Sequence, residues 1–199
     1  DPQSLQRGLR HPSPLLFLLT NTRALAPEQA RERVGEICGL LGTALAEAQA
    51  EGVLAHWLIV SRGDSTLRSH FPLEVEELSA ALGPFDATVL APAFLEGGRT
   101  TVGAEHRLHG TPVHRTPFAQ DRLFGYRHSD LRAWVEEKSG GQIPAAEVRH
   151  LSLEVLEGPP QRLLGELAAL EGQPVVVADA EQPSHLAALA SAVRQLMDP

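Results

Sequence analysis

Ala55-His56-Trp57-Leu58-Ile59-Val60-Ser61-Arg62-Gly63-Asp64-Ser65-Thr66-Leu67-Arg68-Ser69-His70 reads as a short apolar strand running into a polar loop. A helical pattern opens just after it, near Phe71-Pro72-Leu73. Strand, loop and helix in that order make the repeating unit of an open α/β sheet. Loops at the carboxyl ends of such strands are where these folds bind ligands. This loop holds Arg62 and Arg68 on either side of Asp64, Ser65 and Thr66. Arginine forks carboxylate or phosphate oxygens with two parallel hydrogen bonds, and a carboxylate accepts from hydroxyls. The segment reads as a cradle for a small, anionic, hydroxylated molecule. The same residues also suit a plainer arrangement, in which Ser65 or Thr66 caps the next helix while Arg62 and Asp64 pair at the surface.

The alternation extends in both directions. Leu15-Leu16-Phe17-Leu18-Leu19 is continuously apolar, as expected of a strand buried on both faces. Helical spacing follows from Glu28 to about Gln49, with Val34, Ile37, Cys38, Leu41, Leu45 and Ala48 on one face. Leu73, Val75, Leu78 and Leu82 mark a helix stopped by Gly83-Pro84, and Ala87 to Ala91 is a third strand. Beyond it the chain loses periodicity, apart from a short hairpin expected at Arg107–His114 around Gly110. A helix is expected over Ser129–Lys138, then a strand Val148–Val155, a helix Pro160–Leu170, a strand Pro174–Asp179 and a helix Pro183–Leu196. The expected fold is α/β: one domain over 1–199 with an open, mostly parallel, Rossmann-like sheet, helices on both faces and an irregular, hairpin-containing middle.

Composition narrows the partners. Seventeen basic against 25 acidic side chains give a net charge of -8, which argues against nucleic acid or an anionic membrane surface. Any anionic ligand would need a local basic pocket. Cys38 is the single cysteine, excluding an internal disulfide and a cysteine metal cluster, and its spacing places it in a core. No apolar run is long enough for a membrane span and no signal peptide is legible, so a cytoplasmic protein is expected. The chain starts at Asp1 in a loop-like stretch and reads as a piece of something larger.

A second loop follows the third strand: Ala91-Pro92-Ala93-Phe94-Leu95-Glu96-Gly97-Gly98-Arg99-Thr100-Thr101-Val102-Gly103. In a parallel sheet it faces the same edge as the first. Its glycines permit close backbone approach, and Arg99, Thr100 and Thr101 add charge and hydroxyls. It could equally be a plain mobile loop, and it has no Walker-type phosphate-loop ending. Ser129 could cap the helix carrying Leu131 and Trp134. His106, His109 and His114 cluster near the hairpin, but no acidic pair or cysteine completes a metal set, and no metal is assigned. Asp179, at a strand end, could serve the site or cap the Pro183 helix.

Together these segments resemble the four-carbon acid sugar kinase family. Asp64-Ser65-Thr66-Leu67-Arg68 is similar to the family's Asp-Ser-Thr-Leu-Arg core. Ala91-Pro92-Ala93-Phe94 with Gly98-Arg99-Thr100-Thr101-Val102-Gly103 is similar to its second segment, and Asn21-Thr22-Arg23 and Phe118-Ala119-x-Asp121 add to the likeness. The resemblance implies a two-domain enzyme. Its N-terminal domain would hold a threonate, erythronate or 3-oxo-tetronate, and its C-terminal domain ATP and magnesium. The sequence lacks the family's Asp-Asp-x-Thr-Gly strand and its nucleotide domain, and Ser69-His70 stands where Gly-Asn is more usual. It is therefore expected to be a fragment of the substrate-binding domain that binds weakly and transfers no phosphate alone. Arg68, and secondarily Arg62 or Arg99, would grip the carboxylate; Asp64, Ser65 and Thr101 would hold hydroxyls, with Thr100 beside them. The catalytic base is unassigned, and a homodimer is compatible with the reading. The other reading is a freestanding, non-catalytic module for a sugar acid or phosphometabolite.

Overall fold

The computed structural model describes residues 1–197. It divides into two compact units, Asp1–Arg62 with Pro72–Pro84, and Gly63–Phe71 with the chain from Phe85 onward.

The first unit is helical. Helix α1, Pro2–Leu9, corrects the loop-like start: the Asp1 carboxylate accepts from the Ser4 N–H at 3.0 Å, and Pro2 needs no partner at the first helical position. Helix α2, Pro27–Ala50, covers the expected span, and Ala30, Val34, Cys38, Leu41, Leu45 and Ala48 are its buried stripe. Cys38 is a core residue, and burial, with the charge of Glu77 adding, pushes its thiol up, away from nucleophilic character. Helix α3, Leu73–Leu82, lies against α2, with Arg31 paired to Glu77 and Leu82 in the shared core.

Two expected strands are not formed. Residues 15–19 and 55–60 join no ladder among the described residues. Their apolar alternation survives: Trp57 and Ile59 pack on the Leu41–Leu45 core, while Leu58 and Val60 stand out, as do Leu15, Phe17 (76% exposed) and Leu19. A strand needs a neighbour's backbone as well as its own pattern, and neither segment has one here.

The second unit carries the parallel sheet. Strands β1 (Thr88–Leu90), β5 (Arg149–Leu151) and β6 (Val175–Ala178) run in the order β1-β6-β5, all parallel. The central strand is buried on both faces, and its side chains divide by twos. Val175 and Val177 enter a core with Leu131, Trp134 and Val135 of helix α4 (Leu131–Lys138). Val176 and Ala178 enter another with residues of α5 (Leu153–Leu156), α6 (Pro160–Ala168) and α7 (Pro183–Met197). Helices thus cover both sheet faces, as the α/β pattern predicts. Strand β5 is shorter than expected: Asp179 takes the Leu153 N–H at 3.3 Å, and α5 begins there.

The irregular middle is more regular than its sequence suggests. Strands β2 (Arg99–Val102), β3 (Glu105–Leu108) and β4 (Thr111–Pro112) form an antiparallel sheet. The β3–β4 turn at His109-Gly110 is the expected hairpin; the tight β2–β3 turn at Gly103-Ala104 was not foreseen. Both turn residues have positive φ, 61° and 64°, which strains Ala104. Asp179 compensates by accepting both turn N–H groups at 2.9 Å. A bridge between Thr101 and Ala180 fixes the hairpin to the carboxyl end of β6.

Candidate functional site

The turn at Asp64–Arg68 belongs to the second unit and is bonded internally. The Leu67 N–H closes on the Asp64 carbonyl at 2.9 Å, with Leu67 buried at φ 64°. Asp64 Oδ1 accepts from the Thr66 N–H at 3.1 Å. Its Oδ2 accepts from the Thr66 hydroxyl at 2.7 Å and from Arg68 Nε and Nη2 at 2.8 Å each. The Arg68 guanidinium carbon lies 4.7 Å above the Phe118 ring, and Nη1 is 3.8 Å from Asp121. Helix α3 begins only at Leu73 with Pro72 at its cap position, so Ser65 and Thr66 do not cap it.

Two buried side chains anchor this turn from outside. Tyr126 donates its hydroxyl to the Thr66 carbonyl at 2.8 Å, and burial pushes its phenol up. His106 on β3 is fully buried, with Nε2 2.8 Å from the Ser65 carbonyl and Nδ1 2.9 Å from the Thr101 hydroxyl. Burial lowers its pKa to about 4, with the Arg99 charge acting in the same direction, so the ring is neutral at pH 7. Because the Ser65 carbonyl can only accept, Nε2 carries the proton, and the Thr101 hydroxyl donates to Nδ1.

Arg99 opens β2 on the same face as Thr101, two residues on. Nη1 donates to the Gly97 carbonyl at 2.8 Å, and the guanidinium lies 5.6 Å from the Phe94 ring centre. Its Nε is shielded from water without a hydrogen-bond partner, and Arg99 makes no ion pair among the described residues. Gly97 and Gly98 make room here: a Cβ on Gly97 would collide with Arg99 and Phe94, and one on Gly98 with the His109 ring. Gly98 also sits at φ 69°.

The structure therefore brings together Asp64, Ser65, Thr66 and Arg68 with Thr101, across His106. Thr100 points to the opposite face of β2, beside Arg107 in the ladder. Arg62 is exposed and belongs to the first unit. Thr101 is fully buried with its hydroxyl engaged by His106. Asp130, not Ser129, caps α4, accepting from the Arg132 and Ala133 N–H groups. The Ser129 hydroxyl instead accepts from the His114 N–H at 2.8 Å and meets His114 Nδ1 at 2.7 Å. Asp179 meets the β2–β3 turn and His150 rather than capping α7. From the sequence, His106 was weighed as a metal ligand and not assigned, and Tyr126 was given no role. Their functions depend on carbonyls distant in sequence, which no local pattern signals.

Residues 3–198 match the family described as the sugar-binding N-terminal domain. The chain is 32% identical over 147 residues to a D-erythronate kinase of Heliobacterium modesticaldum, covering 72% of this chain and 31% of that protein. A domain of unknown function from Bordetella bronchiseptica, solved with bound citrate as a domain-swapped dimer, superposes with a TM-score of 0.70 at 26% identity. That match covers 98% of this chain and 43% of the Bordetella chain. A putative tRNA synthase from Salmonella typhimurium, 18% identical with a TM-score of 0.67 over 87% of this chain and 39% of that one, shares the fold. The chain thus spans under half the length of these relatives. No helix among the described residues is long and apolar enough to cross a membrane. With the Asp64–Arg68 turn and the Arg99 hairpin both in place, the chain belongs to the sugar-binding N-terminal domain family of the four-carbon acid sugar kinases.

Proposed function

We propose that this chain is the sugar-acid-holding part of an ATP-dependent kinase that phosphorylates a four-carbon acid sugar of the threonate, erythronate or 3-oxo-tetronate type. The observation that carries this reading is the unequal state of two arginines. Arg68 is neutralised by Asp64 and stacked on Phe118. Arg99 is part-buried, has no ion pair among the described residues, and keeps a shielded Nε without a partner. A partly desolvated, uncompensated cation is unfavourable alone and favours an incoming carboxylate. Arg99 is accordingly the carboxylate anchor, and Arg68 holds Asp64 in place. The Ser65 hydroxyl, with no protein partner among the described residues, faces substrate hydroxyls beside Asp64. Thr101 acts from behind through His106, and Arg62 and Thr100 are given no contact.

The relatives supply the chemical class: one is a D-erythronate kinase, and another bound citrate, a hydroxylated polycarboxylate. ATP and magnesium enter through the family alone, the nucleotide supplying the γ-phosphoryl group. Among the described residues no three His, Cys, Asp or Glu side chains are grouped to hold a metal ion. In this reading both are held by the part of the kinase that this chain does not match. A cytoplasmic location and a homodimer belong to the same reading, the latter supported by the Bordetella dimer.

The test is a thermal-shift screen of the full-length protein against four-carbon sugar acids, with a coupled assay of ATP consumption. One acid should raise the melting temperature and drive ATP turnover. Arg99→Ala should weaken that acid's binding about tenfold or more, the range of one charge-assisted hydrogen bond. Stabilisation without ATP turnover would make the chain a binding module. No response to any four-carbon acid would end the reading.

A further inference from the structure

We propose that His106 is a positioning residue of the sugar-acid site: its neutral ring clasps the Asp64–Arg68 turn to the Arg99 strand and sets the distance between the two. The inference rests on the reading above and goes beyond it, because His106 touches no ligand in that scheme.

Hydrogen bonds from backbone and ring hold the residue. Its backbone N–H donates to the Ser129 carbonyl at 2.7 Å, Nε2–H to the Ser65 carbonyl at 2.8 Å, and Nδ1 accepts from the Thr101 hydroxyl at 2.9 Å. One tautomer satisfies every polar atom of the ring, and the ring is wholly buried. The clasp joins residues 41 apart in sequence, and it acts on the carbonyl of Ser65, whose hydroxyl has no partner among the described residues. Thr101 and Arg99 share one face of β2, so this ring ties the backbone of Ser65 to the strand that carries Arg99. Tyr126 holds the next carbonyl, that of Thr66. With both carbonyls tied, a turn carrying a leucine at positive φ has little freedom to rearrange. Such an arrangement suits a ligand bound by a carboxylate at one end and hydroxyls at the other, where a small displacement separates the two contacts.

The experiment uses the full-length protein with His106→Phe, which keeps the ring volume without donor or acceptor, and His106→Gln, which returns a donor toward Ser65. Amide hydrogen exchange over residues 61–70 is read without ligand, and affinities for D-erythronate, threonate and ATP are read beside it. The Phe variant should exchange about tenfold faster over residues 64–68 and lose about tenfold in sugar-acid affinity, with ATP affinity unchanged; Gln should recover most of both. Faster exchange across the whole unit, or no recovery with Gln, would make His106 a core residue and overturn the proposal. Unchanged exchange and affinity in the Phe variant would overturn it as well. If the wild-type protein binds neither acid, the functional reading fails, while the exchange comparison still decides whether His106 clasps the turn.

Discussion

Acidification should expose the state of His106. Burial and the Arg99 charge lower its pKa from 6.5 to about 4, against the opposing pull of the Ser65 carbonyl. Between those values the unfolded chain binds a proton that the folded chain refuses. Stability is therefore whole above pH 6.5 and declines as the pH falls toward 4, below which this residue adds no further slope. At 1.36 kcal/mol per pH unit, the full gap corresponds to roughly 3 kcal/mol, of which about 2 kcal/mol is lost between pH 7 and 4.5. Carboxylates titrate in the same range, so the measurement is a difference. Urea unfolding of the chain and of its His106→Gln variant is compared at pH 7, 5.5 and 4.5. The wild type should lose about 2 kcal/mol more than the variant across that range, and the His106 ring should titrate by NMR with a midpoint near 4. Parallel stability curves, or a midpoint near 6.5, would refute the buried neutral tautomer and with it the assignment of the Thr101 and Ser65 bonds.

Arg68→Ala leaves Asp64 partly buried without its cation and should lower stability by about 2–3 kcal/mol in thermal unfolding; Arg68→Lys should recover little, having neither the fork nor the stacking plane. A loss below about 0.5 kcal/mol would remove this pair as the organiser of the turn. Val177→Ala, at a fully buried position of the central strand, should cost about 2 kcal/mol, whereas Val89→Ala on the more exposed edge strand should stay within about 0.5 kcal/mol. Equal effects would contradict the strand order. Gly97→Ala should displace the Arg99 guanidinium and weaken sugar-acid binding by calorimetry, with a stability change of about 1 kcal/mol or less. Unchanged binding would count against Arg99 as the carboxylate anchor.

The parts legible in the sequence share a physical basis: their structure is decided within the segment. Helix α2 follows from its own apolar stripe, and Val175 to Ala178 could only be a strand buried on both faces. The missed parts depend on distant partners. Leu15–Leu19 and Ala55–Val60 have a strand's composition, but composition does not supply the neighbouring backbone. The β2 strand was hidden because Arg99-Thr100-Thr101 was read as loop; taken as a strand, its period of two separates Thr100 from the other two at once. The turn at Gly103-Ala104 was hidden because an alanine at positive φ is held by Asp179, 75 residues away. Of the charged and hydroxyl residues singled out from the sequence, Asp64, Ser65, Thr66 and Arg68 come together with Thr101 while Arg62 and Thr100 do not, and that Arg68 is paired where Arg99 is not was invisible in the sequence.

That difference also limits what Asp64 can do. A carboxylate offers about four acceptor positions. Asp64 fills one on Oδ1 with the Thr66 N–H, and Oδ2 receives the Thr66 hydroxyl and two nitrogens of Arg68. A general base needs an oxygen free to approach the proton it removes. Asp179 is committed in the same way, to two turn N–H groups, the Leu153 N–H and His150. Both aspartates therefore shape the backbone around the site, whereas Arg99 Nε is buried without a partner and the Ser65 hydroxyl has none among the described residues. A cation and a hydroxyl can hold an acid sugar by its carboxylate and one hydroxyl, but neither removes a proton from it. In the proposed reading these residues bind the acid sugar without taking a proton from it, and the catalytic base stays unassigned.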